Sequence, residues 1–409
     1  MTVLAALHPG AERPLRILLR AMGDDIKGLR RSPSSLHPYV DFARSRAIHF
    51  ARFSIVDDPD RGPGRMRLLY ASVYDGDLDS HLTELVTITS DMQAIWGGCE
   101  GYTGVEGFPE FVSQCMQRPE AYYIAFRDET VGSIHRAIAA RRDAQTARDR
   151  IALPLSAGHR SLAQVLQQIA RALPLAADVV RAIVRFGFTT VFLATQKLTV
   201  TLDRYPVFRL LNALTGNRLP PLRTPFSSVT TDNCAAPAPL AAGDEIPSVV
   251  ATVQPGFRED VVSQNQLTLV TVVDPAKVER VRAVMAAINS FATRLSPAGS
   301  LIGISTIHFV RWLLIDNGRR LMMVSDYDGS WESYIDEFAE MILSGLDAIW
   351  DTSIGYPPDG ARDLPAFKRF LRSHQVPSEV FFSAYPDETV LNIRDDTMSA
   401  RAALQGSGA

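Results

Sequence analysis

The stretch IHFARFSIV (48–56) with RLLYASVYDG (67–76) is repeated later in the chain as IHFVRWLLI (307–315) with RLMMVSDYDG (320–329). The segments that follow also match in order, because QAIW or DAIW, then GY, then FPEF or LPAF, then DETV occur in both places. So many matches in one order indicate an internal duplication. A repeat of this length constrains the fold more strongly than any single motif.

The beginning of each copy matches more weakly, with TVLAALHPG from residue 2 and TLVTVVDPA from residue 268. Both segments are typical of a short apolar strand, a turn with proline and a helix with apolar residues at helical spacing. Each copy therefore predicts the order strand, helix, strand, strand, helix, strand. That order is the split βαβ pattern of a ferredoxin-like unit. The predicted fold class is α+β with two such βαββαβ repeats.

The second hairpin can be registered from its turn, because Asn317-Gly318 favours a tight primed turn. Counting from this turn places His308 opposite Tyr327 on one face of the sheet. It places Arg311 diagonal to Asp326 on the other face.

The strands of the second copy show almost no polar alternation, since LLI (313–315) and LMMV (321–324) are unbroken apolar runs. Strands of this kind are covered on both faces. A ferredoxin-like sheet has helices on one face only, so we expect the other face to meet the sheet of the other copy.

Composition excludes several classes of protein. The chain has 409 residues, 46% of them hydrophobic and 21% charged, which is the balance of a globular protein. A net charge of -3 gives no basic surface, so nucleic acid is not an expected partner. Three scattered cysteines argue against a disulfide scaffold, and they fit a cytoplasmic location.

Four regions are predicted: an N-terminal repeat (1–134), a helical insertion with a proline-rich linker (135–260), a C-terminal repeat (261–397) and a disordered tail (398–409). Apolar helices are expected within 160–205, where the longest charge-free stretch is too short to span a bilayer. Two hypotheses stay open for these helices. They pack on the repeats or form a homo-oligomer contact, or they meet a membrane surface or a lipid.

Two ferredoxin-like units that face each other in one chain resemble the dimeric α/β-barrel superfamily. The resemblance implies that the two repeats form an intramolecular dimeric α/β-barrel, with the helical insertion between them. Its members include dye-decolourising peroxidases, chlorite dismutases and their coproheme decarboxylase relatives, and cofactor-free antibiotic-biosynthesis monooxygenases. The segment Ser325-Asp326-Tyr327-Asp328-Gly329 is similar to the peroxidase motif GxxDG but lacks the first glycine. The haem-binding members imply a haem in the C-terminal unit, with histidine on the iron and polar groups opposite.

The second copy differs from the first where this resemblance implies a site. Asp326 stands where the first copy has Val73, and a segment three residues longer carries His374. On the resemblance, His374 is the iron ligand and His308 a second cofactor contact. Arg311 and Asp326 are the opposite pair, in which the carboxylate moves a peroxide proton and the guanidinium stabilises negative charge.

Structural explanations compete with each of these assignments. His308 has a counterpart, His49, so a shared hydrogen bond to the facing tyrosine explains both. Arg311 and Asp326 fit a buried salt bridge without catalysis, because a lone buried charge is costly. His374 fits a solvated loop residue equally well.

The sequence thus predicts an oxidoreductase of the peroxidase or monooxygenase type, dependent on haem and acting on an apolar small molecule or lipid. Two alternatives remain: a non-catalytic binding or scaffold protein, membrane-associated through the middle helices, and a cofactor-free monooxygenase. The chain lacks GxGxxG, GxxxxGK[ST], HExxH and GxSxG motifs, so nucleotide, zincin and serine-hydrolase functions have no support.

Overall fold

The computed structural model describes residues 1–28, 39–151, 263–294 and 299–406. In these ranges the protein is α+β, with two four-stranded antiparallel sheets. The strands are, in chain order, β1 (Thr2–Ala6), β2 (Ile48–Asp57), β3 (Met66–Tyr74), β4 (Ala121–Ile124), β5 (Gln264–Val272), β6 (Ile307–Ile315), β7 (Arg320–Asp328) and β8 (Ser378–Ser383). The helices are α1 (Glu12–Ile26), α2 (Leu78–Ile88), α3 (Met92–Trp96), α4 (Phe108–Cys115), α5 (Val131–Ile151), α6 (Val278–Arg294), α7 (Trp331–Trp350), α8 (Leu364–Ser373) and α9 (Val390–Gly406).

The last strand of each copy lies in the sheet of the other copy. The first sheet has the order β1-β3-β2-β8, and the second has the order β4-β6-β7-β5. Single bridges, Val3 with Met116 and Leu269 with Gln375, mark where the chain leaves the edge of its own sheet. The strands therefore form two separate four-stranded sheets and not the closed barrel that the resemblance implied, and β8 and β4 are edge strands of these sheets.

The two sheets face each other through an apolar layer, as expected from the unbroken apolar strands. The layer is drawn from both sheets and consists of Leu4, Val56, Leu69, Ala71, Val270, Leu313, Ile315, Met322, Val324 and Val376. The opposite face of each sheet packs against helices, with Trp96 and Phe108 over the first sheet and Trp331 and Phe338 over the second.

The second hairpin follows its predicted turn but not its whole predicted register. Asn317 adopts a φ of 54° and Gly318 a φ of 85°, as a primed turn requires. A bulge then lies between Ile307 and Phe309, so that Ile307 is opposite Tyr327. The prediction that His308 faces this tyrosine is therefore wrong, because the bulge adds one residue to β6.

Two predicted boundaries fall inside helices. Helix α5 continues across the boundary placed at 134/135, and α9 includes residues 398–406, which were predicted as a disordered tail. The two helices pack against each other, and Arg141 of α5 pairs with Glu388 at 2.5 Å. Alanines at the end of α9 favour the helical state.

The predicted middle helices, within 160–205, lie outside the described residues. Within the described part of the chain, none of the helices combines the length and the apolar character that crossing a bilayer requires.

Candidate functional site

A layer of polar side chains lies between the two sheets, next to the apolar layer. Arg52 of β2 reaches across to the second sheet and is only 2% exposed. It forms a short ion pair with Asp326 of β7. Its guanidinium also donates to four oxygens of the second copy: Gln266 Oε1 at 3.2 Å, Leu267 O at 3.1 Å, Thr268 Oγ1 at 3.1 Å and Ser325 O at 2.9 Å.

Arg311 of β6 reaches across in the opposite direction, to the first sheet. Its Nη1 donates to the carbonyl oxygen of Met1 at 2.7 Å and to Thr2 Oγ1 at 3.1 Å, and its Nη2 donates to Ser72 O at 3.0 Å. Thr2 and Ser72 occupy the same places in the first copy as Thr268 and Ser325 in the second. The two arginines thus make matching contacts in opposite directions.

The match fails at the position of Asp326. Asp326 accepts from Arg52, whereas Val73 stands at the equivalent place beside Arg311. Arg311 and Asp326 share the inter-sheet face, but the ion pair of Asp326 is with Arg52. The predicted direct salt bridge between Arg311 and Asp326 is therefore replaced by a pair that joins the two copies.

Burial dominates the protonation of this layer. Desolvation raises the pKa of the Asp326 carboxyl, although the charges of Arg52, Arg311 and His308 oppose this effect. Desolvation likewise lowers the pKa of Arg52 and lowers that of Arg311 to about 10. The charged forms of all three groups are thus less favoured in the folded protein than in water.

A second pair of polar contacts repeats in both copies. His49 Nε2 bonds to Asp75 Oδ1 at 2.9 Å, and His308 Nε2 bonds to Asp328 Oδ1 at 2.7 Å. The other oxygen of each aspartate accepts from the first backbone N–H of α5 or α9, at 2.8 and 2.7 Å. In both copies, the aspartate of the Asp-Gly pair therefore has the same structural role. It accepts one hydrogen bond from a histidine and one from the first backbone N–H of a helix.

The histidines differ in their remaining nitrogen. His49 Nδ1 bonds to the hydroxyl of Tyr385 at 2.8 Å. His308 Nδ1 is buried without a hydrogen-bond partner in the described residues, and Phe126 stands at the place equivalent to Tyr385. The Phe126 and His308 ring centroids are 6.3 Å apart. His308 is therefore an interior residue, fixed by Asp328 and enclosed by aromatic rings.

The remaining predicted site residue, His374, lies elsewhere. It ends α8, with its Nδ1 bonded to Phe370 O at 2.8 Å and its ring centroid 4.5 Å from that of Phe370. Phe370 packs with the helices outside the second sheet, whereas Asp326 and Arg311 lie between the sheets. Among the described residues, no hydrogen bond or ring contact of His374 reaches Asp326 or Arg311.

The described residues also contain no group of three or more His, Cys, Asp or Glu placed to hold a metal ion. An open surface pocket of about 710 Å³ beside α7 is rich in carboxylates. Asp347 there accepts from the Tyr356 hydroxyl at 2.7 Å, and Asp351 pairs with Arg280 at 2.9 Å. These carboxylates are thus held by protein groups, and the pocket is a weaker candidate than the inter-sheet layer.

Sequence reasoning missed Arg52 as the partner of Asp326 and missed Tyr385 altogether. A signal for Arg52 was present, since Thr2, Ser72 and their counterparts repeat together with the arginines. Tyr385 was also detectable, as a polar replacement of Phe126 just before the repeated DETV.

Protein-family models, curated proteins and solved structures yield no match to this chain. The functional argument therefore depends on the contacts within the chain itself.

Proposed function

We propose that the protein is an oxidoreductase that acts on a small apolar molecule at the inter-sheet polar layer, with Asp326 as its acid–base group. The observation that carries this proposal is the position of Asp326. It is a carboxyl with a raised pKa, buried beside two guanidiniums, in the copy where the other copy has Val73. A buried carboxyl whose pKa is raised is suited to proton transfer.

The neighbouring arginines support a division of roles. Arg52 fixes the Asp326 carboxylate and is itself 2% exposed. Arg311 is partly exposed and lies next to the edge strand β4, so a ligand would approach the layer from that edge. The guanidinium of Arg311 would bind a negatively charged group of that ligand.

The resemblance to the dimeric α/β-barrel superfamily supports this proposal only as to the type of fold and the type of reaction. We infer two ferredoxin-like repeats that have exchanged their last strands. Because His374 lies apart from Asp326, the cofactor-free monooxygenases are a better guide to this site than the haem peroxidases. A reducing substrate, such as an apolar hydroquinone, would then supply the electrons for dioxygen.

The test is turnover by the full-length protein with dioxygen and a panel of apolar phenols and hydroquinones, with and without a carboxyl group, measured by oxygen uptake and product mass. We expect Asp326→Asn, which keeps the size of the side chain, to reduce product formation by roughly 10²-fold or more. Asp77→Asn is the matched control, because asparagine still caps α2, and it should leave turnover unchanged. Absence of product with the wild type, or equal turnover in both variants, would overturn the proposal.

A second candidate is a non-catalytic binding or scaffold protein. The observation that favours it is that both guanidiniums donate to protein oxygens at matching positions, as purely structural arginines would. In that case Asp326→Asn would change the unfolding free energy while no substrate of the panel is turned over.

The haem hypothesis has a direct test of its own. The protein should be expressed with added haem and its absorption spectrum compared with that of His374→Ala. We expect no Soret band that depends on His374. A band that disappears in the variant would restore haem as the cofactor.

A further inference from the structure

The inter-sheet layer contains two arginines for one carboxylate. Arg52 meets the carboxylate of Asp326, whereas Arg311 meets two carbonyl oxygens and one hydroxyl. Among the described residues, none of the ion pairs involves Arg311. The side chain at the place equivalent to Asp326 is that of Val73, which has no charge to offer.

This imbalance has an energetic consequence. Removing a guanidinium from water is costly, and neutral hydrogen-bond acceptors offset that cost less well than a carboxylate does. Asp326 also acts electrostatically on Arg311, but one carboxylate, even when ionised, balances only one of two positive charges. The layer therefore carries an excess positive charge on the side of Arg311.

We propose that the anionic group of a small ligand binds at Arg311 beside Val73, in the place that the Asp326 carboxylate takes at Arg52. The internal duplication supports this placement. The two arginines donate to hydroxyl and carbonyl groups at equivalent positions of the two copies. At the position of Asp326 the first copy lacks a carboxylate.

The surroundings indicate which anion fits. Arg311 is partly exposed, and the residues near it on the same face, Val73, Tyr122 and Ile124, are also partly exposed and mainly apolar. The planar fork of a guanidinium matches a carboxylate. The ligand class is therefore a monocarboxylate with an apolar body. This inference deepens the proposed function, because the carboxylate would belong to the substrate, but its test measures binding and needs no turnover.

The experiment uses octanoate as the probe and octanol as its neutral analogue, with the full-length protein at constant ionic strength in calorimetry. We expect octanoate to bind at least about tenfold more tightly than octanol, the factor that one charge-assisted hydrogen bond supplies. Equal affinities, or no binding of either, would overturn the proposal.

Val73→Asp is the decisive variant, and Val73→Asn is its neutral match in size. Val73→Asp supplies the missing carboxylate, so it should lose octanoate binding by about tenfold or more, while Val73→Asn retains the preference for octanoate over octanol. Equal octanoate binding by both variants would contradict the site. If Val73→Asp does not fold, Arg311→Met is the alternative variant and should abolish the preference for octanoate over octanol. A preference retained in Arg311→Met would also overturn the proposal.

The two proposals can fail separately. Asp326→Asn should still bind octanoate, because the carboxylate site is formed by Arg311. Octanoate binding without turnover of any substrate would remove the enzymatic proposal and keep the anion site. Turnover by a protein that binds octanoate no more tightly than octanol would remove the anion site and keep the enzymatic proposal.

Discussion

The two copies of the repeat agree in how they hold the molecule together and differ in a few interior side chains. In both, an arginine crosses to the other sheet, and an Asp-Gly aspartate holds a histidine and a helix start. Only the second copy contributes Asp326 and Tyr385, where the first contributes Val73 and Phe126. Contacts present twice serve the architecture, so the unequal positions are where function is to be sought.

The exchange of the last strands strengthens this comparison. Because β8 completes the first sheet and β4 completes the second, each copy depends on the other for its edge. Tyr385 lies two residues after the end of β8 and so belongs by sequence to the second copy, although it bonds to His49 of the first. A side chain that differs between the copies can therefore change the contacts of a residue in the other copy.

The largest expected effect concerns the ion pair between Arg52 and Asp326, which has no equivalent at Arg311. Arg52→Met leaves Asp326 buried without its partner and should lower the free energy of unfolding by about 3–5 kcal/mol. Arg311→Met removes no direct ion pair and should cost less. Denaturant unfolding measures both.

The double variant Arg52→Met with Asp326→Val is the control, since it removes the stranded charge and restores the valine of the first copy. It should recover part of the loss seen in Arg52→Met. If the double variant is less stable than Arg52→Met, the Asp326 carboxylate has another stabilising partner and the ion-pair account is wrong.

The next effect depends on pH. His81 bonds to Ser72 at 2.9 Å, and Tyr334 bonds to Ser325 at 2.7 Å in the matching place. Burial lowers the pKa of His81 to about 3, with a smaller contribution from the N-terminal charge. The unfolded chain then binds a proton that the folded protein does not, so stability is lost as pH falls below about 6.5.

At pH 4 this loss amounts to roughly 3 kcal/mol relative to pH 7, and His81→Tyr, which copies the second unit, should remove it. Unfolding free energies at the two pH values measure the effect. His8→Tyr changes an exposed histidine and should keep the wild-type dependence. A His81→Tyr protein with the same pH dependence as the wild type would show that another group is responsible.

Much of the fold could be predicted from the sequence because its signals are local. The apolar runs predicted two facing sheets, and the Asn317-Gly318 pair predicted the hairpin turn, as the structure confirms. The exchange of β4 and β8 and the bulge before Phe309 were not predicted, since both depend on which edge a distant strand meets.

The candidate site was predicted in part. Asp326 and Arg311 do lie together between the sheets, because strand alternation determines the face of each. The partner of Asp326 comes from the other sheet, and no periodicity within one copy reveals a contact across two sheets. His374 was proposed from the resemblance to haem proteins, and a resemblance of fold does not locate a ligand.

A smaller effect is expected where the histidines differ. Tyr385→Phe makes the site of His49 like that of His308 by leaving a buried Nδ1 without a partner, at a cost of about 1–2 kcal/mol. Tyr122→Phe removes a partly exposed hydroxyl in β4 and should change stability by less than about 0.5 kcal/mol. Equal losses in the two variants, measured by denaturant unfolding, would mean that the hydrogen bond to His49 contributes nothing.

The smallest effect is the reciprocal change, and its sign is informative. Phe126→Tyr places a hydroxyl on the ring that lies 6.3 Å from His308, where the equivalent Tyr385 and His49 rings are 5.8 Å apart. If the hydroxyl reaches the unpartnered Nδ1, the gain is about 1 kcal/mol, because a buried polar group acquires its hydrogen bond. The same substitution in a His308→Phe background, where no nitrogen is available, should instead be destabilising. A loss of stability in both backgrounds would mean that the first unit cannot accept the tyrosine of the second, and that the two histidine sites differ in backbone position as well as in one hydroxyl.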